Sequence, residues 1–264
     1  METKLQQPLV IDTLSKFGRE EWEAAGCPRE FATPSTGTDH IDLGFFEREG
    51  VKVYCLLDDR EGLSEIRASS EFTFMAILMG LRRIDRVIGS MDRREAGHEL
   101  YGKRVGIVGM GRNGGNVRRW CLVFGATVIY SDPLFPGGDL GRIFETSDVV
   151  VLTCSYNEET HHMIDRPLLE SMKEDAVLVN TSRGGVINEP DLIDVLRLRP
   201  DLTAVLDVLE GEIDGTAKDS PLWYMKNVIL TPHIAGHTVE SEAKANAIAE
   251  RLLYNQEDGE EEAR

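Results

Sequence analysis

Three apolar runs in the second half of the chain each lead into a loop whose side chains can do acid–base or anion-binding chemistry. Arg183 follows the first run, Glu210 and Glu212 follow the second, and His233 follows the third. An arginine can hold a carboxylate through two parallel hydrogen bonds and polarise a neighbouring carbonyl. A histidine can exchange a proton with the oxygen of a ketone or alcohol, and a carboxylate bonded to it fixes its orientation. These residue types fit the interconversion of a 2-keto acid and a 2-hydroxy acid.

Each of these residues also has a purely structural interpretation. An arginine beside a Gly-Gly turn can bind backbone carbonyls alone, a loop glutamate is usually solvated, and a histidine after a proline is most often structural. The functional interpretation therefore depends on one edge of one sheet receiving all three loops.

The elements that would position these loops are short apolar runs alternating with helix-like stretches, such as residues 113–124 and 189–198. Runs without polar alternation are typical of parallel strands with helices over both faces. The sequence therefore predicts an α/β fold with a doubly wound parallel sheet, which binds ligands beyond the carboxyl ends of its strands. The runs span residues 104–109, 126–131, 148–153, 176–180, 203–208 and 227–231.

The first of these runs leads into a glycine-rich turn. Gly109, Gly111 and Gly114 form a G-x-G-x-x-G between a predicted strand and a predicted helix, and Asp132 follows the second strand. Such a turn lets the backbone approach a pyrophosphate at a helix N-terminus, and the acid accepts hydrogen bonds from the adenine ribose. Because a carboxylate repels a 2′-phosphate, we expect NAD rather than NADP as the cofactor.

The first part of the chain has fewer regular elements. Residues 69–88 read as one long helix, apolar over most of its circumference up to residue 81, which must pack on its own domain or on a second subunit. Ahead of it, only residues 9–14, 30–33 and 51–57 look like strands. We expect an NAD-binding domain over residues 68–235 and a smaller second domain over residues 1–67 with 236–264.

Composition argues against several classes of protein and site. A formal net charge of -17 disfavours nucleic-acid binding, and no apolar run approaches the roughly 20 residues of a membrane span. Four widely spaced cysteines without a C-x-x-C pair are typical of reduced thiols, so we expect a cytoplasmic protein. We expect no metal at His161 and His162, in a polar connection, nor at His233 and His237, which Gly236 separates close to a proline.

Several motifs in order resemble the D-isomer-specific 2-hydroxyacid dehydrogenases. The resemblance implies a Rossmann NAD-binding domain, a flavodoxin-like substrate domain, a homodimer, and hydride transfer between NAD and C2 of a small D-2-hydroxy or 2-keto acid. The motifs are STGTDHID at residues 35–42, the glycine-rich turn with Asp132, AVLVNTSRGG at residues 176–185, LDV at residues 206–208 with Glu212, and PHIAG at residues 232–236.

By motif position, the resemblance implies a role for each site residue. Arg183 binds the substrate carboxylate and carbonyl, His233 is the general acid and base with Glu212 as its partner, and Asp207 contacts the nicotinamide carboxamide. Glu212 is preferred to Glu210 because the family's acid lies five residues after the aspartate of the D-V pair. The other expected cofactor contacts, besides the turn glycines and Asp132, are Arg112, Asn113, Cys154, Thr181, Ser182 and Gly236.

The chain departs from the family's pattern ahead of Ser35, where only 34 residues precede the first motif. We therefore expect a truncated substrate domain, and the alternative to an enzyme is an NAD(H)-binding sensor or scaffold that lost catalysis with that truncation. Within the glycine-rich turn, Asn113 takes the place of the usual aliphatic residue. Residues 206–212 and 233–238 are also similar to erythronate-4-phosphate dehydrogenases.

Overall fold

The computed structural model describes residues 9–11, 15–87, 96–135 and 138–254. The chain divides into two compact units, Met1–Ile66 with Thr238–Arg264, and Arg67–His237. In the described ranges, none of the helices combines the length and the apolar composition that a membrane span needs.

The strands have two or three residues in the first unit and three to five in the second, whereas the longest helix belongs to the first unit. The strands are β1 (Leu9–Val10), β2 (Glu30–Ala32), β3 (Lys52–Tyr54), β4 (Arg104–Val108), β5 (Thr127–Ser131), β6 (Val149–Leu152), β7 (Val177–Asn180), β8 (Thr203–Leu206) and β9 (Val228–Leu230). The helices are α1 (Arg19–Ala24), α2 (Leu43–Glu49), α3 (Arg60–Ser64), α4 (Ala68–Leu81), α5 (Ile84–Val87), α6 (Arg112–Val123), α7 (Leu140–Thr146), α8 (Arg166–Ser171), α9 (Glu189–Leu198) and α10 (Val239–Tyr254).

The unit Arg67–His237 is built on a six-stranded parallel sheet with the strand order β5-β4-β6-β7-β8-β9. Alternate residues of β6 enter different core clusters: Val150 and Leu152 belong to one, and Val149 and Val151 to the other. Both faces of the sheet are therefore covered, and each such buried side chain stabilises the fold by about 1.5–3 kcal/mol. Every predicted apolar run contains a strand, so the doubly wound α/β fold is confirmed.

The sheet has a topological switch point next to β4. The chain passes from β4 to β5 on one side and then returns to place β6 on the other side of β4. Loops leaving neighbouring strands diverge there, which opens a crevice at the carboxyl ends of the strands. The strands β7, β8 and β9 lie side by side, so the loops with Arg183, Glu212 and His233 leave the same edge.

The single helix expected over residues 69–88 is wrong, because α4 ends at Leu81 and α5 begins at Ile84; residue 88 lies outside the described ranges. Between them Arg83 has a φ of 54° and is buried, with its guanidinium donating to Asp175 at 2.8 Å and to Thr203. These long-range contacts, which local periodicity does not encode, accompany the break in the helix.

Helix α4 packs on the sheet of its own unit. A Cβ built at Gly80 would lie 2.4 Å from the side chain of Val177 in β7, so the glycine allows close approach of helix and strand. Ala76, Ile77 and Leu81 are also buried, whereas Met75 is exposed. The apolar circumference of α4 is thus covered largely by its own unit.

The unit Met1–Ile66 with Thr238–Arg264 has a three-stranded parallel sheet with the order β1-β2-β3. Its aromatic cluster includes Phe17, Phe31 and Phe46, with ring centroids 4.8–5.7 Å apart. In a second cluster, Ala249 and Leu253 of α10 pack on Ala32. The predicted strands at residues 9–14, 30–33 and 51–57 are shorter than expected: Leu56–Asp58 form a 3-10 helix, and residues 12–14 lie outside the described ranges.

Candidate active site

The glycine-rich turn between β4 and α6 has the geometry of a phosphate-binding loop. Gly109 has a φ of 95°, a conformation that side chains rarely tolerate. A Cβ at Gly114 would lie 2.0 Å from the carbonyl oxygen of Gly109, whereas a Cβ at Gly111 would have no atom within 4 Å. The first and third glycines therefore close the turn on itself, and the second leaves the backbone open to an approaching ligand.

The N-cap position of α6 provides no side-chain acceptor for the backbone N–H groups that begin the helix. Gly111 is the capping residue and offers no side-chain acceptor, so the first N–H groups of α6 and the positive end of the helix dipole face the turn. Arg112 is the first helical residue, and burial lowers the pKa of its guanidinium. This arrangement suits the two phosphates of a dinucleotide.

Asn113 has a structural partner that the sequence did not reveal. Its Oδ1 accepts a hydrogen bond from the Ser70 hydroxyl at 2.9 Å, and Asn116 donates to the same hydroxyl oxygen at 3.2 Å. Because Ser70 lies in α4, the asparagine ties the two helices together. Asn113, which takes the place of the usual aliphatic residue in this turn, thus has a hydrogen-bond partner in Ser70 of the neighbouring helix.

Asp132 directly follows β5 and bends back over the glycine-rich turn. One carboxylate oxygen accepts from the backbone N–H of Met110 at 2.6 Å, and the other accepts from Leu134 at 2.8 Å. These bonds hold the carboxylate next to the turn, where an adenine ribose would lie in a dinucleotide-binding fold. A negative charge at that place favours two ribose hydroxyls over a 2′-phosphate.

Cys154 follows β6 and lies against the same turn. A Cβ at Gly109 would be 2.5 Å from the backbone nitrogen of Cys154, and the hydroxyl of Thr153 donates to the Gly109 carbonyl at 2.7 Å. Burial raises the pKa of the Cys154 thiol to about 11, so the thiol is protonated at neutral pH. The residue fills space beside the turn rather than acting as a nucleophile.

The loop after β7 carries three of the predicted site residues and is organised by Asn180. The fully buried Asn180 accepts from the backbone and hydroxyl of Ser182 at 3.0 and 2.8 Å and donates to the carbonyl of Arg183 at 3.0 Å. The hydroxyl of Thr181 bonds to that of Thr73 in α4 at 2.6 Å. Asn180 was missed as a site residue, although an asparagine ending an apolar strand is a signal for a structured turn.

The loop of Arg183 packs directly on the loop of Glu212. A Cβ at Gly184 would lie 1.9 Å from the carbonyl carbon of Leu209, so only glycine allows the two backbones to approach this closely. The guanidinium of Arg183 donates to the carbonyl of Ser182 at 2.9 Å. The glycine directly after the arginine therefore allows the loops after β7 and β8 to pack against each other.

His233 and Glu212 form a hydrogen-bonded pair. The imidazole Nδ1 lies 2.7 Å from Oε2 of Glu212, and the other carboxylate oxygen accepts from the backbone of Leu209 at 2.8 Å. Both side chains are 28% exposed. Because Nδ1 is engaged by the carboxylate, Nε2 is the nitrogen that can exchange a proton with a substrate.

Asp207 holds the backbone on both sides of this histidine. Its buried carboxylate accepts from the hydroxyl of Thr231 at 2.6 Å and from the N–H groups of Ile234 and Ala235 at 2.9 and 2.8 Å, while its own carbonyl accepts from His233. Burial raises the pKa of Asp207, although these three donors oppose the shift. Asp207 thus fixes the loop in which His233 adopts a φ of 55°.

Gly236 and His237 end this loop. Gly236 is exposed, and a Cβ there would lie 3.4 Å from the hydroxyl of Ser69. The backbone of His237 donates to the carbonyl of Ile234 at 2.9 Å.

Glu210, which the resemblance passed over, pairs with a different histidine. Its Oε1 lies 2.8 Å from Nε2 of His162, and its backbone N–H donates to Glu189 at 3.1 Å. The other oxygen of Glu189 accepts from the Ser220 hydroxyl at 2.6 Å. From the sequence, His162 is expected only as part of a polar connection without a metal, and this pairing is not predicted, since 48 residues separate the two partners.

A family model for the NAD binding domain of D-isomer specific 2-hydroxyacid dehydrogenases matches residues 74–235. The chain belongs to this family. The match covers the whole parallel sheet, the glycine-rich turn and the three loops after β7, β8 and β9. The predicted family and the prediction of NAD as cofactor are therefore confirmed.

Similar proteins cover most of this chain. The chain is 34% identical to the glyoxylate reductase of Korarchaeum cryptofilum over 89% of its own length and 75% of that protein. It is 31% identical to the D-3-phosphoglycerate dehydrogenase of Methanocaldococcus jannaschii over 91% of its own length, but spans only 48% of that relative. A D-lactate dehydrogenase from Aquifex aeolicus, solved with NAD and lactic acid, has a TM-score of 0.78 and 28% identity, with 94% of this chain and 81% of that chain covered.

Proposed function

We propose that this protein is an NAD-dependent oxidoreductase that interconverts small D-2-hydroxy acids and 2-keto acids. The observation that carries the proposal is the continuous contact between three loops at one sheet edge. Gly184, next to Arg183, abuts Leu209, and Glu212 of the following turn bonds to His233. Family membership supports the same class of enzyme, one that acts on CH–OH donors.

The residues divide the reaction between binding and proton transfer. NADH, when bound, supplies the hydride that reaches the carbonyl carbon of the keto acid. Arg183 holds the substrate carboxylate, and its positive charge polarises the adjacent carbonyl. Nε2 of His233 donates a proton to the carbonyl oxygen, and Glu212 stabilises the charged imidazole before that transfer. In the oxidation direction, neutral His233 takes the hydroxyl proton.

The cofactor contacts follow from the geometry of the turn. The N–H groups at the start of α6 would bind the pyrophosphate of NAD, Gly111 would allow its close approach, and Asp132 would accept from the ribose hydroxyls. Thr181, Ser182 and Gly236 complete the nicotinamide side. We assign Met1–Ile66 with Thr238–Arg264 as the substrate unit, because it holds the STGTDHID motif.

The test is an NADH-consumption assay on the full chain with glyoxylate, hydroxypyruvate, pyruvate and 3-phosphohydroxypyruvate. We include glyoxylate and hydroxypyruvate because several relatives are named as their reductases. We expect turnover with at least one acid and its loss in His233→Asn, since asparagine tolerates the left-handed backbone but cannot donate the proton. His237→Asn is the control within the same loop. Tight NADH binding without turnover on any acid would instead support the sensor.

We propose that the protein is a homodimer through an apolar surface of the NAD-binding unit. Phe74 packs edge-on against the rings of Trp120 and Phe124, and apolar residues around this cluster remain exposed. An exposed patch of this kind is typical of a subunit interface. Met75, Leu122, Val123 and Phe124 are exposed members of this cluster or its neighbours along the chain, and the exposed ring of Tyr101 lies against Gly125. Light scattering at micromolar concentration checks this, and a monomer would contradict it.

We also propose a cytoplasmic location. All four cysteines are free, which is typical of proteins kept in a reducing compartment. Fractionation of cells that express the chain under its own promoter is the corresponding measurement.

A further inference from the structure

Three side chains from two loops meet at the carboxyl edge of the NAD-binding sheet. His161 and His162 lie in the loop after β6, and Glu210 lies in the loop after β8. One ligand atom from each of the three lies within 4.8 Å of the other two. Two imidazole nitrogens and a carboxylate oxygen form a donor set that binds zinc and related divalent transition metals in proteins.

Ring stacking and a hydrogen bond with Tyr156 orient the two histidines. The backbone of His162 has a φ of 50°, and its ring stacks on that of His161 with the centroids 3.8 Å apart. Nδ1 of His161 lies 3.0 Å from the hydroxyl of Tyr156, so its Nε2 is the nitrogen directed to a ligand. A hydrogen bond to the second ring nitrogen is the usual support of a metal-binding histidine, because it fixes both tautomer and ring orientation.

The backbones behind the cluster are also fixed. The N–H of His162 donates to the carbonyl of Gly185 at 2.8 Å, and the N–H of Glu210 donates to Glu189 at 3.1 Å. Both loops are therefore held to other parts of the same sheet edge. A site that is organised before the ion arrives loses less conformational entropy on binding.

We propose that His161, His162 and Glu210 bind a divalent transition-metal ion of the zinc class. Two nitrogen donors and one oxygen select this class over magnesium and calcium, which require more oxygen ligands. Three protein ligands leave a coordination position for water or another small ligand. The ion joins the loops after β6 and β8, and Glu210 brings it within one turn of Glu212. This site is independent of the proposed dehydrogenase activity.

A hydrogen-bonded cluster without a metal is the competing interpretation. The 2.8 Å contact between His162 and Glu210 is also the length of an ordinary hydrogen bond. The two interpretations differ in ion binding, because only the metal site predicts one bound ion per chain whose affinity depends on His162 and Glu210.

The experiment measures binding of Co²⁺ and Zn²⁺ to the full chain by calorimetry and, for Co²⁺, by visible absorption. We expect one ion per chain with micromolar affinity, weakened at least about tenfold in His162→Asn and in Glu210→Gln. Asparagine suits the left-handed backbone, and glutamine keeps the shape of the glutamate. Circular dichroism establishes that each variant is folded.

Two control variants locate the ion. His237→Asn removes a histidine outside the cluster, and Glu212→Gln alters the neighbouring pair with His233; both are expected to bind cobalt like the wild type. No binding by the wild type, equal binding by all variants, or weakening by Glu212→Gln in place of Glu210→Gln would overturn the proposal. None of these results depends on catalytic turnover.

Discussion

Two histidine–glutamate pairs share one turn of this protein, and their differences separate two kinds of chemistry. Glu210 and Glu212 flank Gly211, whose φ of 78° reverses the chain between them. Glu210 lies 2.8 Å from His162, and Glu212 lies 2.7 Å from His233. The paired side chains have similar exposure, between 28% and 37%. Distance and burial alone therefore do not distinguish the pairs.

The groups behind each histidine do distinguish them. The loop of His233 is fixed by the buried carboxylate of Asp207, and Glu212 engages Nδ1 of the imidazole, so Nε2 is the nitrogen that can exchange a proton. The ring of His162 stacks on His161, which adds a second nitrogen donor. One pair is thus arranged for proton transfer and the other for holding a cation. A short histidine–carboxylate contact acquires its role from the residues around it.

The largest effect is expected from replacing one histidine at a time. His233→Asn should lower kcat about 10²–10⁴-fold, since general acid catalysis contributes that much. His162→Asn should change kcat less than about threefold while it weakens cobalt binding at least about tenfold. Steady-state kinetics and cobalt absorption on both variants give the comparison. A loss of turnover in His162→Asn as large as in His233→Asn would show that both pairs serve the same reaction and would contradict separate roles.

Replacing the carboxylates one at a time should give the next largest effect. Glu212→Gln removes the charge that stabilises the imidazolium, worth about 1.5–3 kcal/mol or roughly 10–150-fold in kcat. Glu210→Gln, the matched change two residues away, should leave kcat within about threefold. Steady-state kinetics on both variants measure this difference in kcat. An equal fall of kcat in both variants would contradict separate roles.

A methyl group at Gly184 should disturb both pairs at once. Its Cβ would lie 1.9 Å from the Leu209 carbonyl carbon, so Gly184→Ala must push the turn that carries Glu210 and Glu212. We expect a loss of about 1–3 kcal/mol in the free energy of unfolding by urea, together with weaker activity and weaker cobalt binding. Gly185→Ala, whose Cβ would have the ring of Tyr156 as its nearest neighbour at 2.9 Å, should affect cobalt binding alone.

Asp207→Asn should affect only the His233 pair. An amide cannot accept all three hydrogen bonds, so we expect a loss of about 1–3 kcal/mol in the free energy of unfolding and lower kcat, with cobalt binding unchanged. Burial raises the pKa of Asp207 in the folded protein above the ordinary value of an aspartate. The wild type therefore loses free energy of unfolding as the pH rises from that ordinary pKa through the raised one. The deficit of Asp207→Asn should therefore be smaller at neutral pH than in mild acid. A deficit that grows with pH would contradict this sign.

The smallest effect is expected at Cys154, which begins the loop that carries His161 and His162. With a thiol pKa of about 11, only about one molecule in a thousand carries a thiolate at pH 8, so iodoacetamide should modify the exposed Cys27 and spare Cys154. Mass spectrometry of the modified peptides measures both. Cys154→Ser should leave the cobalt spectrum unchanged. A changed spectrum would indicate that sulfur binds the ion, which would contradict the proposed ligand set of His161, His162 and Glu210.

Much of the sheet and of its active edge could be predicted from the sequence. Unbroken apolar runs mark strands that are buried on both faces, and six such runs in alternation with helical stretches specify the parallel sheet. Gly109 and Gly114 are needed by the turn itself, one for its positive φ and the other for contact with the preceding carbonyl. These features depend on residues that are close together in the chain, so they can be predicted from the local sequence pattern.

The sequence by itself thus determined the sheet, the glycine-rich turn and the delivery of Arg183, Glu212 and His233 to one edge. Only the tertiary structure decided where helix α4 ends, which histidine Glu210 meets, and how Asp207 holds the loop of His233. Arg83 lies 92 residues from Asp175, and Asp207 lies 27 residues from Ile234. Such contacts form only after the chain has folded, since periodicity and turn propensity act over a few residues and carry no information about distant partners.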